Sequence, residues 1–185
     1  MNSQSHTGSP STTGSSGPRS VFLAGPFKSL VDSEGRMRPF ERNRYEALIR
    51  LLEQRGYVVH NAHKREGWGR EFLQPRECTR LDYEQIRDCD LFVAFPGDPA
   101  SPGTHVEIGW AAALGTPMVL LLEEGHTYAF LVRGLDAVAD VTYVSVPADR
   151  IAFAPLVSAL TEFENRADQR AGARERDTPR SGTER

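Results

Sequence analysis

DLFVAFPGDPASPGTHVEIGWAAALGTPMVLLL, residues 90–122, decides the fold. It opens on DLFVAF, residues 90–95, apolar at nearly every position. A strand wet on one side would alternate; a continuous apolar run marks one covered on both faces. After a loop rich in Pro and Gly comes THVEIGWAAALG, residues 104–115, expected as a helix that opens behind a Pro-Gly turn and closes on Gly115. PMVLLL, residues 117–122, reads as another buried strand. Strand, helix and strand in this order form a parallel crossover unit.

The alternation extends both ways. SVFLAG (20–25), YVVHN (57–61) and VTYVSV (141–146) read as strands. Helical spacing of Phe40, Tyr45, Leu48, Leu51 and Leu52 predicts a helix over 38–55, ended by Gly56. A second helix is expected over 75–88, where Pro75 stands at a favourable first position, and a closing helix over 148–166. The expected architecture is α/β: three layers, with helices on both faces of a doubly wound, five-stranded parallel sheet. The domain spans 20–167. Residues 1–19, mostly Ser, Thr, Gly and Pro, and residues 168–185, charged and almost without apolar side chains, are expected to be tails, because neither can bury enough apolar surface to offset the entropy of ordering.

Bulk properties narrow the function. A chain of 185 residues with net charge -3 suits one domain, and its mildly acidic balance argues against a nucleic-acid partner. No apolar run approaches the roughly 20 residues of a membrane span, and the N-terminus lacks the apolar core of a signal peptide. Two cysteines, Cys78 and Cys89, without metal-ligand spacing suit reduced thiols in a cytoplasm. No metal site and no cofactor is expected.

Ligands of parallel sheets bind beyond the carboxyl ends of the strands. Three loops meet there: AGPFKSL, NAHKREGWG and FPGDPASPGT. In the third, Ser101 and Gly103 precede a helix whose free N–H groups suit a phosphate; equally, Thr104 is placed as an ordinary N-cap. Glu107 then has two readings. It completes a capping box with Thr104, or it is a carboxylate held in a well-covered helix to attack an anomeric carbon. Asp82 offers a second acid, as glycosidic cleavage uses, or a solvated helix residue. In the first loop Gly25 lets the backbone approach a ligand, Phe27 offers a ring for a base and Lys28 a cation. In the second, His63 is a proton donor or a hydrogen-bonded structural residue, beside Glu66 and Trp68.

FLAGPF, LDYEQIRDCDLFVAF and SPGTHVEIGWAAALGTPMVLL, in that order across most of residues 20–145, resemble the nucleoside 2-deoxyribosyltransferase-like superfamily, a Rossmann-like fold. Ser101, six residues before Glu107, resembles the phosphate-binding serine of its nucleotide-hydrolysing branch. FLAGPFKSLVD, NAHKREGWG and FPGDPASPGTHVEIG are similar to the hydrolases of CMP and 5-hydroxymethyl-CMP, which serve cytosine nucleoside antibiotic biosynthesis. Lys28 stands where the hydroxymethyl-CMP enzyme has Arg, which favours plain CMP. The resemblance implies Glu107 as nucleophile, Asp82 as the acid that assists proton transfer or orients the sugar, and Ser101 and Gly103 as phosphate ligands. It implies Phe27 and Lys28 as the base-side wall, with His63, Glu66 and Trp68 in the pocket. It also implies a homodimer in which a residue of the HTYAFLVRG stretch closes a neighbour's site; the hydrolase branch often has Ser there, this chain offers Tyr128 and Ala129, and Tyr128 is taken as the reaching side chain. Two rival functions remain: a deoxyribosyltransferase and a non-catalytic nucleotide-binding module.

Overall fold

The computed structural model describes residues 18–177. Five strands, β1 (Ser20–Ala24), β2 (Val58–His60), β3 (Leu91–Ala94), β4 (Met118–Glu123) and β5 (Val141–Val146), form one sheet in the order β2-β1-β3-β4-β5. Every pairing is parallel, with Phe22 opposite Phe92 and Phe92 opposite Met118. The helices are α1 (Pro39–Gln54), α2 (Ala62–Arg65), α3 (Pro75–Asp88), α4 (Pro102–Leu114), α5 (Phe130–Arg133) and α6 (Ala154–Asp177). The expected three-layer sheet is therefore present.

Strand side chains alternate between the two faces, and the core divides with them. Val21, Leu23, Val93 and Leu121 pack with Tyr45 and Leu48 of α1 and Leu156 and Leu160 of α6. Phe22, Phe92, Met118 and Leu120 pack with Ile86 of α3, Ile108 of α4 and Val132 of α5. The Phe22 and Phe92 rings stack across β1 and β3, centroids 5.9 Å apart. The chain order reverses between β1 and β3, so a crevice opens beyond their carboxyl ends.

Three differences from expectation matter. The helix expected from Thr104 begins at Pro102. The closing helix begins at Ala154 and continues to Asp177, so residues 168–177 continue an anchored helix, those as far as residue 173 burying little; Arg19 pairs with Asp168 on it. Residues 1–17 and 178–185 of the expected tails lie outside the described residues. The short helices α2 and α5 have too few turns to carry a periodic pattern, and the sequence shows them only as loops.

Candidate active site

Ser101 is the N-cap of α4, with Pro102 at the first helical position. The Thr104 N–H points at Ser101 Oγ at 3.5 Å, and the Thr104 hydroxyl donates to it at 3.0 Å. Thr104 is thus inside the helix, not its cap, because Pro102 is pre-set for the first turn and Ser suits the cap. Glu107 consequently stands in the second turn, too deep for a capping box, which joins the cap to the third helical residue. That reading of Glu107 is removed. Gly103 is exposed, and a Cβ there would meet nothing within 4 Å. Its N–H stands at the positive end of α4.

Glu107 is half-buried. Burial first, and then the nearby Asp82 carboxylate, push its carboxyl up to about 8, against a pull downward from Arg65. Asp82 is 5% exposed on α3, which packs against α4 with Tyr83 edge-on to Trp110 at 5.5 Å. Two acids from neighbouring helices therefore share one desolvated region. Glu66, at 4% exposure, joins it, since Arg65 reaches Glu66 Oε1 at 3.2 Å and Asp82 Oδ1 at 2.9 Å. The Cys78 thiol donates to Asp82 Oδ2 at 3.2 Å and lies 3.7 Å from Glu66 Oε1.

The first loop is tied down from below. A Cβ on Gly25 would lie 1.8 Å from the Tyr45 hydroxyl, so the loop has room for no side chain there. A Cβ on Gly97, which has φ +88, would lie 2.6 Å from Pro26 Cγ, where the first and third loops touch. His63 is 1% exposed, its ring 4.3 Å from that of Tyr45. Asn61 accepts from the Lys64 N–H and donates its amide to Leu23 O and towards His63 Nδ1. Nδ1 thus accepts, and Nε2 donates to Pro26 O at 2.8 Å. Burial pulls the imidazole down to about 4. His63 is the hydrogen-bonded structural residue, joining loops one and two, and not a proton donor at neutral pH.

Phe27 lies over His63 at 4.5 Å and against Phe72 at 5.1 Å. With Phe72 46% exposed and Lys28 exposed beside them, this end of the crevice is aromatic and cationic. Two expected pocket residues lie elsewhere. Trp68 is packed against the α1-side core with the Arg42 guanidinium 5.4 Å from its ring, because residues 67–69 all take positive φ and coil the segment back. Tyr128 is 8% exposed and its hydroxyl accepts the Glu123 N–H, so it is engaged inside its own chain and does not reach outward. A cavity of about 190 Å³ on the α1 side is lined by Arg38, Glu41, Arg44 and His126 and does not include the paired acids.

Arg65, Cys78 and Phe72 escaped sequence reasoning. Cys78 is four residues before Asp82 and so on its helix face, which was a usable signal; the other two offered none. Among the described residues no group of three or more His, Cys, Asp or Glu is arranged to hold a metal ion, and no helix is long and apolar enough to cross a membrane.

A sequence profile of nucleoside 2-deoxyribosyltransferases matches residues 21–172. No curated protein sequence matches significantly. Among solved structures, the CMP N-glycosidase BcmB of Clostridium botulinum is 41% identical, with a TM-score of 0.52, covering 69% of this chain and 89% of its own. BlsM, whose structure was determined in solution, is 49% identical, with a TM-score of 0.68, covering 82% of this chain and 95% of its own.

Proposed function

From a chain that belongs to the nucleoside 2-deoxyribosyltransferase family, we propose hydrolysis of the N-glycosidic bond of a pyrimidine nucleoside 5′-monophosphate, CMP foremost and 5-hydroxymethyl-CMP second. The products are free base and ribose 5-phosphate. The family and BcmB support a nucleotide N-glycosidase or a related activity. The observation that carries the finer reading is the desolvated Glu107 carboxylate beside Asp82, in the second turn of a helix that begins at Ser101. Six residues of helix rise about 9 Å, and side chains lean back toward the N-terminus. A pentose phosphate bridges such a gap.

Ser101 and the Gly103 N–H hold the 5′-phosphate at the positive end of α4. That anchorage aligns C1′ with Glu107 and converts binding energy into orientation. Glu107 attacks C1′ as the C1′–N bond breaks; the electron pair leaves with the base, which takes up a proton drawn from water with the help of the Asp82 carboxylate. Positive charge developing on the sugar favours the carboxylate form of Glu107, which burial alone disfavours. Water then attacks C1′, releasing ribose 5-phosphate and restoring Glu107. Phe27 and Lys28 face the base, and Lys, a point charge without the fork of Arg, suits the smaller cytosine. Binding requires neither cofactor nor metal in this scheme. The enzyme works as a cytoplasmic homodimer and supplies cytosine for nucleoside antibiotic biosynthesis.

The test is a panel of CMP, 5-hydroxymethyl-CMP, dCMP, UMP and cytidine, with free base measured by chromatography. CMP releases cytosine and cytidine does not. Equal release from cytidine removes the phosphate anchor from the account. Incorporation of labelled cytosine into product nucleotide, in place of hydrolysis, establishes base transfer instead.

A further inference from the structure

Arg65 has no part in the scheme above, yet it contacts both buried acids of its neighbourhood. It lies at the end of α2 with its side chain 21% exposed, between the side chains of Glu66 (5%) and Asp82 (7%). One terminal nitrogen is 2.9 Å from Asp82 Oδ1 and 3.3 Å from Gln85 Oε1; the other is 3.2 Å from Glu66 Oε1. The fork is therefore divided: Glu66 anchors one arm and the other lies against Asp82. Only a planar guanidinium offers two such arms in a fixed relation. Asp82 is held on its second oxygen as well, by the Cys78 thiol at 3.2 Å.

Asp82 Oδ1 has no aligned hydrogen-bond donor among the described residues, although it is buried and ion-paired. Arg65 lies against one side of that oxygen, 2.9 Å away and poorly aligned for a hydrogen bond, and a carboxylate oxygen has two lone-pair sites, so one is left over. A buried carboxylate in that condition is fixed in orientation and still able to accept a hydrogen bond. Glu66, which sequence reasoning placed against substrate, has its carboxylate taken up by Arg65 and the Cys78 thiol.

We propose that Arg65 is a positioning residue for the reaction: anchored by Glu66, it fixes the Asp82 carboxylate so that the free lone pair of Oδ1 meets the sugar or leaving group beside Glu107. This rests on the glycosidase reading of Glu107 and Asp82. The effect passes through Asp82, so it belongs to turnover more than to binding. The same positive charge also tempers the mutual repulsion of Asp82 and Glu107.

The test uses the full-length chain with CMP, as wild type, Arg65→Met, Arg65→Lys, Asp82→Asn and the double variant Arg65→Met/Asp82→Asn, with melting temperature and folded fraction measured for each. Removing a partner that orients an active-site group typically costs about 10–100-fold, so Arg65→Met lowers kcat by that range per folded molecule. KM changes by less than about threefold, and Arg65→Lys, which keeps the charge, recovers at least about threefold of the lost kcat. In the Asp82→Asn background the Arg65→Met effect shrinks to within about threefold, because the group it positions is gone. Undiminished kcat in Arg65→Met, a loss explained by folded fraction alone, no recovery by Lys, or full multiplicativity in the double variant each overturns the proposal. If Arg65→Met does not fold, Arg65→Gln, which keeps polarity but has neither the charge nor the two-armed fork that spans both acids, takes its place under the same criteria. A wild type that frees no base from CMP sinks the glycosidase reading itself, and is thereby distinguished from a failure of Arg65 alone.

Discussion

Glu107 is the residue on which most turns. Burial first, then the Asp82 charge, against the opposing Arg65 charge, place its carboxyl at about 8, against an ordinary value of 4.5. A nucleophile must be ionised, so the sign is plain: below about 8 the free enzyme holds Glu107 protonated and inactive, and activity grows as pH rises through that value. kcat/KM reports the free enzyme, so its acid limb should fall near pH 8, and a limb near 4.5 would show that the Glu107 carboxyl is not raised by its surroundings in the free enzyme. Asp82, Glu107, Ser101 and Gly103 could be singled out from residue type and spacing. Arg65 could not, because its contact with Asp82 joins two elements 17 positions apart. Residue type alone gives His63 two roles; the Asn61 amide and the Pro26 carbonyl fix its protonation and choose the structural one.

At the scale of the element, α4 does two things with one residue. Ser101 caps the helix, and the same hydroxyl is proposed to meet phosphate. Substitution separates them: replacing a Ser cap by Ala costs about 0.5–2 kcal/mol, by Gly only a few tenths. Ser101→Gly should melt within a degree or two of wild type while KM for CMP rises, and Ser101→Ala should lose both stability and affinity. Equal KM in all three proteins would leave Ser101 as a cap only. The start of α4 was misread by two residues because Thr104 and Ser101 are both good caps; Pro102 decides between them. That small shift separates Glu107 from the capping box. The β-strands, by contrast, were legible within a residue or so at each end, since a continuously apolar run between turn residues leaves little choice.

Across the whole molecule, the doubly wound sheet could be read from alternating strands and helices, but the outer surface could not. Phe130, Leu131 and Val138 are 88%, 83% and 80% exposed, close together in sequence around α5. Patches of this kind mark association sites, and with Tyr128 turned inward they are the better candidates for the proposed dimer contact. Sedimentation should give a dimer of the 20.5 kDa chain, and Phe130→Ser/Leu131→Ser should shift it toward monomer. A wild-type monomer at micromolar concentration would contradict the homodimer.

The proposed reaction depends on a carboxylate attacking C1′. The most direct measurement is cytosine release from CMP by wild type and by Glu107→Ala at equal folded concentration. Steady release is expected from the wild type and none above background from the variant. Release by Glu107→Ala at the wild-type rate would contradict it.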